Sequence, residues 1–317
     1  MKLILYIVVP CYNEEDCLAD TNNKLLNLLK SMIQEGSVSA DSRVLYVNDG
    51  SNDSTWNIIL DFHQKDILVS GVKLAGNCGH QNALMAGLSV AKDDADIMIS
   101  IDADLQDDIS VIPQMVRLYQ EGSDIVYGVR KSRSSDTFFK RTTALTFYKL
   151  MNSLGVRSVY NHADYRLMSK RAVNQLCLFR ERNLFLRGIV PLVGYQTACV
   201  YYDRSERMAG ESKYPFSKML NFAIDGITSF STKPVRMVLL MGISMVLLSF
   251  LMLFYVIYSY FHHHVVAGWS SIILSIWFVG GMVLMGLGIV GEYIGKIYIE
   301  VKDRPRYNIE TIIKRKG

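Results

Sequence analysis

Asp102 and Asp104 occupy alternate positions of "DADLQDD", directly after the apolar run "ADIMISI", and Asp107 and Asp108 follow a few residues on. So much like charge at the end of a core element is costly unless a cation sits among it. Two carboxylates at a strand end can share one hard divalent ion, Mg²⁺ or Mn²⁺, whose other ligands are diphosphate oxygens and water. Asp102 and Asp104 are therefore the candidate metal ligands. Asp107 and Asp108 precede a helical pattern, Ile109 to Tyr119, and read as N-terminal caps that complement the helix dipole.

The elements that must position this pair follow from hydrophobic patterning. Short β-branched runs, "LILYIVVP", "RVLYVND", "LVSGVKL" and "DIMISIDAD", alternate with helical patterns over about Glu15–Glu35, Ser54–Lys65 and Gln81–Ala91. Such βαβ alternation predicts a parallel sheet covered by helices, with ligands at the carboxyl ends of the strands. A polar cluster falls at each of those ends: "PCYNEED", "NDGSNDST", "GNCGHQN" and "DADLQDD". No GxGxxG follows the first strand and no GxxxxGK[ST] occurs, so dinucleotide and P-loop chemistry are not indicated.

The 317 residues, half of them hydrophobic, suffice for one such domain and an appendage. A net charge of +4, dispersed except near the C-terminus and without zinc-finger or basic-zipper spacing, does not point to nucleic acid. Five cysteines without a CxxC pair suggest neither a zinc ribbon nor a disulfide framework. The opening "MKLILYIVVP" runs into Glu14, Glu15 and Asp16 and reads as a first strand, not a signal peptide.

The appendage is membrane-like. Val235–Phe261 carries one charge, Arg236 at its edge, and Trp269–Val290 carries none, which predicts two transmembrane helices. Gly280, Gly281, Gly286 and Gly288 allow the second to pack closely on the first or on another subunit of a homo-oligomer. Lys233, Arg236, Lys296, Lys302, Arg304 and Arg306 flank the pair, and no Lys or Arg lies between the spans, so both ends are expected in the cytoplasm. The three histidines at 262–264 lack the supporting groups of a metal site.

The ordered motifs "VVPCYNEED", "VNDGSNDST", "GHQNALMAGL", "DADLQDD", "YGVR", "DYRLMSKR", "RNLFLRG" and "RMAGESKY", with the two terminal spans, make the chain similar to the family 2 glycosyltransferases that load a sugar onto a polyprenyl phosphate. It most resembles the bactoprenol glucosyltransferases and, more distantly, dolichol-phosphate mannose synthase. That resemblance implies a GT-A, Rossmann-like α/β domain over residues 1–232, a two-helix transmembrane hairpin within 233–296 and a basic cytosolic tail over 297–317. It also implies an inverting transfer of a hexose, from UDP-glucose or UDP-N-acetylglucosamine, to undecaprenyl phosphate. The enzyme would be a multi-pass protein of the cell membrane with its catalytic domain in the cytoplasm, and a flippase and a glycan-modifying transferase would act on its product.

Carried over residue by residue, the resemblance assigns Pro10, Tyr12 and Glu14 to the nucleoside and Val47 and Asp49 to base and ribose. It gives Asp102, Ala103, Asp104 and Gln106 to the metal and diphosphate, and Arg130, Arg207 and Lys213 to closure on the phosphates. Asp164 takes the place of the catalytic carboxylate, with Asp104 counted beside it, and Arg182 and Arg187 face the acceptor phosphate. Asn48 departs from the usual aspartate of "DDGS", Ala75 and Gly76 from serine and arginine, and Leu184 and Pro191 from the usual acceptor-loop pattern.

A phosphate monoester is largely dianionic at pH 7 and scarcely needs a base to become a nucleophile. Asp164 is thus better suited to orienting the acceptor or steadying positive charge at the sugar than to taking a proton; a structural pairing with Arg166 competes with either role. Helical patterns over 138–154 and 218–230, apolar with flanking lysines and arginines, suit a bilayer surface or a core. The readings set against this one are a GDP-mannose-dependent mannose synthase and a silent membrane-anchored nucleotide-sugar binder. A processive polysaccharide synthase is disfavoured, because Trp56, Trp269 and Trp277 lack the preceding arginine of QxxRW.

Overall fold

A computed structural model of the chain describes residues 2–131, 162–182, 184–203 and 268–314, with isolated positions between 235 and 254. Its described strands are β1 (Leu5–Cys11), β2 (Arg43–Asn48), β3 (Val69–Leu74), β4 (Ile97–Ser100), β5 (Ile125–Arg130), β6 (His162–Ser169), β7 (Thr197–Tyr202) and β8 (Ile309–Ile313). The helices are α1 (Leu18–Gln34), α2 (Thr55–Lys65), α3 (His80–Ala91), α4 (Ile112–Gln120), α5 (Lys170–Cys177), α6 (Leu186–Ile189) and α7 (Trp269–Val301).

One sheet holds the strands in the order β7-β5-β6-β4-β1-β2-β3-β8. Its centre, β4-β1-β2-β3, is parallel, as the βαβ alternation predicts. β1 and β2 are buried at every position, which is why they read as continuous apolar runs and not as alternating ones. On α1 the buried apolar residues Leu18, Leu25, Leu29 and Met32 recur at helical spacing and pack into the core. α3 lies so close to the sheet that a Cβ on Gly87 would come within 2.6 Å of both Val8 Cγ1 and Val47 Cγ2. Only glycine fits there.

Chain order diverges at β1, with β2 on one side and β4 on the other. Such a switch point opens a crevice at the strands' carboxyl ends. β6 then inserts antiparallel between β4 and β5, pairing Ile97 with Ser169 and Ser100 with Arg166. The paired part of β4 ends at Ser100, whose Oγ donates to the Asp164 carbonyl, so Asp102, two residues on, comes near enough to Asp164 for their charges to interact. The antiparallel insertion thus delivers a residue some sixty positions away to the end of β4.

The chain divides into two compact units, one of Met1–Lys149, Arg157–Tyr214 and Asp303–Gly317, the other of Leu150–Val156 and Pro215–Lys302. Within the second, Phe278–Val301 of α7 is long and apolar enough to cross a membrane. α7 runs 33 residues, eleven beyond the expected end at Val290. The expected first span, about 235–261, lies mostly outside the described residues, and the hairpin is not established. Where both can be seen, Val238 Cγ1 lies 3.2 Å from the place a Cβ on Gly286 would take. The segments 138–154, 218–230 and 262–264 lie outside the described residues.

Residues 297–317 are not a tail throughout. α7 continues to Val301, and β8 adds antiparallel to β3, with Gly71 opposite Ile313 and Lys73 opposite Thr311. Lys73 Nζ meets Glu310 at 2.8 Å and Lys314 Nζ meets Asp94 at 2.6 Å, fastening the strand within the first unit.

Candidate functional site

The loops after β1 and β2 are laced together. Asn13, in the left-handed region at φ 54°, accepts the Asn52 amide at 2.9 Å, and its own amide donates to Ser51 Oγ at 3.0 Å. The Glu14 amide donates to Thr55 Oγ1 at 3.0 Å. Tyr12 is 43% exposed beside this junction, while Pro10 is buried in β1. Val47 is fully buried and its side chain is committed to α3, so only its main chain is left to meet a ligand.

Asp49 organises the next loop. Its buried carboxylate accepts the amides of Cys78 at 2.8 Å and Gly79 at 3.0 Å, and the Cys78 thiol at 3.1 Å. This fixes the approach to α3. Burial together with Asp49 pushes the Cys78 thiol up to about 12, and burial together with Glu14 does the same to Cys17, so neither is poised as a nucleophile. Asn48 accepts from the Ser51 amide at 3.4 Å, and its buried Nδ2 lacks a protein partner.

At the end of β4 the carbonyl of Ala103, between the two metal candidates, accepts Thr21 Oγ1 at 2.5 Å from α1. The loop then turns through Leu105 at φ 42°, a strained position for a non-glycine residue. Asp104 accepts from the amide of the largely buried Gln106 at 3.3 Å. Asp102 faces His80 at the start of α3, Nε2 to Oδ1 3.4 Å, and both side chains are 44% exposed. Desolvation pushes the Asp102 carboxyl up to about 6; Asp164, Asp107 and Asp104 add to this while His80 opposes it.

Asp107 does not cap a helix as expected. It is turned inward, 3% exposed, accepting Tyr202 Oη at 2.6 Å and Arg130 Nη2 at 2.9 Å. A cation and a phenol within reach made the interior the better partner. Asp108 does cap, accepting the Ser110 amide at 2.9 Å, although the turn it starts is a 3₁₀ turn, Ile109–Val111, ahead of α4. Arg130, assigned to the donor phosphates, is held by Asp107 and Tyr202, and Asp107 raises its pKa against the effect of burial.

Asp164 stands in a cationic clamp. Arg166 Nη2 lies 2.5 Å from Oδ1, and Arg187 approaches Oδ2 at 3.2 Å and Oδ1 at 3.4 Å. Ser100 Oγ donates to the Asp164 carbonyl at 2.6 Å, tying β6 to the end of β4. Desolvation would raise this carboxyl, but Arg187 and Arg166 outweigh it and hold it well below the usual carboxylate range. Asp164 is thus paired with Arg166, as the structural alternative expects, and it also meets the partly exposed Arg187.

Arg182, matched with Arg187 from the sequence, is placed differently. It donates to the carbonyls of Arg304 and Pro305, whereas Arg187 meets Asp164. Arg207 and Lys213 lie outside the described residues. His80, Gln81 and Tyr202 have no role in the sequence reading, which names Arg166 only as a structural partner of Asp164. "GHQN" stands out in the sequence as a strand-end cluster without a role, and Tyr202 becomes legible only once β7 is paired with β5.

Asp102 and Asp104 fit a hard dication. Both are oxygen donors, both are partly open, and the like charge pressing on Asp102 is what such an ion relieves. Among the described residues no group of three or more His, Cys, Asp or Glu is arranged to hold an ion unaided. Further ligands would have to come from diphosphate and water.

Comparison with known proteins gives the same direction. The sequence profile of "Glycosyl transferase family 2" matches residues 6–177. "Uncharacterized glycosyltransferase YkoT" of Bacillus subtilis (strain 168) is 53% identical over 97% of this chain and 91% of its own. "SfII prophage-derived bactoprenol glucosyl transferase" of Shigella flexneri is 42% identical over 98% of both chains. "Prophage bactoprenol glucosyl transferase homolog" of Escherichia coli (strain K12) is 39% identical over 99% of this chain and 100% of its own.

Proposed function

The chain belongs to glycosyl transferase family 2, and from that premise we propose that it transfers a hexose from a nucleotide sugar to undecaprenyl phosphate at the cytoplasmic face of a membrane. UDP-glucose and UDP-N-acetylglucosamine are the favoured donors. The product is a lipid-phosphate-linked sugar for modifying a cell-envelope glycan. The observation that carries this reading is Asp164, kept ionised by two arginines and set close enough to Asp102 for their charges to interact, in a chain whose last helix is long and apolar enough to span a bilayer.

The electrostatics support a division of labour. A carboxylate held far below its usual range is a poor proton acceptor, so Asp164 suits orientation of the acceptor and stabilisation of charge at the anomeric carbon. The dianionic phosphate attacks without help from a base, and the donor's diphosphate departs from the opposite face of the sugar, inverting it. Arg187, 37% exposed and paired with Asp164, is proposed to bind the acceptor phosphate with its remaining donors. When bound at Asp102 and Asp104, Mg²⁺ or Mn²⁺ supplies charge neutralisation for the departing diphosphate. Arg207 and Lys213 are proposed to join it on the phosphates, and Tyr12, Glu14 and the main chain at Val47 to line the nucleoside.

The test is transfer of label. Full-length protein in detergent, given undecaprenyl phosphate, Mg²⁺ or Mn²⁺ and radiolabelled UDP- and GDP-sugars one at a time, should move label into the organic phase from one UDP-hexose. Label from GDP-mannose alone would make the protein a mannose synthase. No label from any donor, with nucleotide binding intact, would favour a silent binder.

A further inference from the structure

Of the four residues "GHQN" that open α3, three have visible work: Gly79 donates to Asp49, His80 faces Asp102, and Asn82 Nδ2 donates to the Cys78 carbonyl at 2.8 Å. Gln81 reaches across the site instead. Its Oε1 accepts the Leu186 amide at 2.7 Å, a bond between residues 105 positions apart. We infer that Gln81 is a positioning residue for the transfer, holding Arg187 against Asp164 by capping, from another helix, the single turn that carries Arg187. The inference rests on the glycosyl-transfer reading above.

The physical argument begins with α6. It has four residues, Leu186–Ile189, and a helix so short does not recover the cost of its own nucleation. Its first amides have no partner within the turn, and Phe185, at the N-cap position, provides no side-chain bond. Gln81 meets that need at Leu186. Arg166 Nη1 contacts the carbonyl of the same residue at 3.5 Å, and the Leu186 side chain is 1% exposed in the core. The peptide groups on both sides of Leu186 are thus held, and the next residue in the chain is Arg187.

The anchor is stiff. α3 packs so closely on β1 and β2 that Gly87 leaves no space for a Cβ between them. A misplacement of about 1 Å at a reacting group can cost on the order of 100-fold in rate, so the Gln81 bond matters through Arg187 and Asp164 and not through contact with substrate. Because the partner is a backbone N–H, the side chain must present an acceptor. Glutamate keeps that acceptor; leucine, of similar size, removes it.

Three measurements on the full-length protein in detergent test the inference. In Gln81→Leu, hydrogen exchange at the 186–189 amides should rise about tenfold while β2 stays protected, and Gln81→Glu should restore protection. Turnover of Gln81→Leu should fall about tenfold with the KM for the nucleotide sugar within about twofold. In an Arg187→Ala background the same substitution should cost nothing more. Unchanged exchange at 186–189, or a full additional loss on top of Arg187→Ala, would overturn the inference. Should the parent protein transfer no sugar at all, the glycosyl-transfer reading fails, and the exchange result still decides whether Gln81 caps α6.

Discussion

Asp102, just past the end of β4, and Asp164, on the neighbouring β6, feel each other's charge, yet their surroundings treat them in opposite ways. Asp164 has two guanidinium groups within 3.2 Å and is pinned in the ionised form. Asp102 has one imidazole at 3.4 Å, three carboxylates pressing on it, and a carboxyl pushed up to about 6. The first is a finished ion pair; the second is short of positive charge. A site of this kind separates a fixed anion, which can serve developing positive charge on a sugar, from an incomplete one that takes a cation together with the ligand's phosphates.

The largest effect should come from deleting the incomplete side. Asp102→Ala with Asp104→Ala should lower metal-dependent glycolipid synthesis on the order of 10³-fold, since the leaving group loses its electrostatic partner. Wild-type labelling of the lipid by that double variant would end the metal assignment. Next comes the finished side. Asp164→Asn keeps shape and removes charge, so turnover should drop on the order of 100-fold while nucleotide affinity, measured by calorimetry, stays put. If nucleotide affinity falls in step with turnover, the two carboxylates do not divide the work as argued.

Arg166 sharpens the comparison from the stability side. It is fully buried, with Nε unpartnered by protein, and burial lowers its pKa while Asp164 opposes that shift. Removing one partner of a buried pair strands the other, so Arg166→Met should destabilise the fold by about 3 kcal/mol. Arg187→Met, which removes a guanidinium 37% exposed, should cost well under half of that. Urea midpoints of the two variants in detergent compare them, and equal losses would mean that the Asp164 clamp is not built around a buried cation.

The sequence disclosed β1–β4 and α1–α3 because buried parallel strands make unbroken apolar runs between amphipathic helices. It hid β6, whose "HADYRLMS" carries Asp164 and Arg166; charged residues in a strand argue against burial until their pairing is known. β8 was hidden for the reverse reason: "IETII" is too short beside the basic residues around it to look like more than a tail. α7 outran its expected end because Glu292, Lys296 and Glu300, at i,i+4 spacing, stop an apolar pattern without stopping a helix. Within the site, Asp102 and Asp104 stood out by type and position, whereas Asp164 was singled out only through the family resemblance. Their unequal charge environments were not legible, since those depend on Arg187 and His80 arriving from two other helices and on Arg166 turning inward within β6 itself.

The smallest expected effect isolates that inequality. Asp102 has a folded pKa of about 6 against an ordinary 3.8, so without a divalent ion the folded protein retains a proton that the unfolded chain has released. Stability should therefore fall as pH rises from about 4 to about 6. Asp164 has the opposite sign: its pKa is depressed on folding, its contribution is in place above the ordinary carboxylate range, and it is lost only as pH falls toward strong acid. Over the window from pH 4 to 6 the two can be told apart. Because the Asp102 side chain is 44% exposed, solvent screening should keep its slope below about 1 kcal/mol. Urea midpoints of cation-free protein minus those of Asp102→Asn should trace that slope, and saturating Mg²⁺ should erase it by favouring the ionised carboxylate. A difference that is flat with pH, or one that Mg²⁺ leaves unchanged, would show that Asp102 is as well compensated as its neighbour, and the contrast between the two carboxylates would be lost.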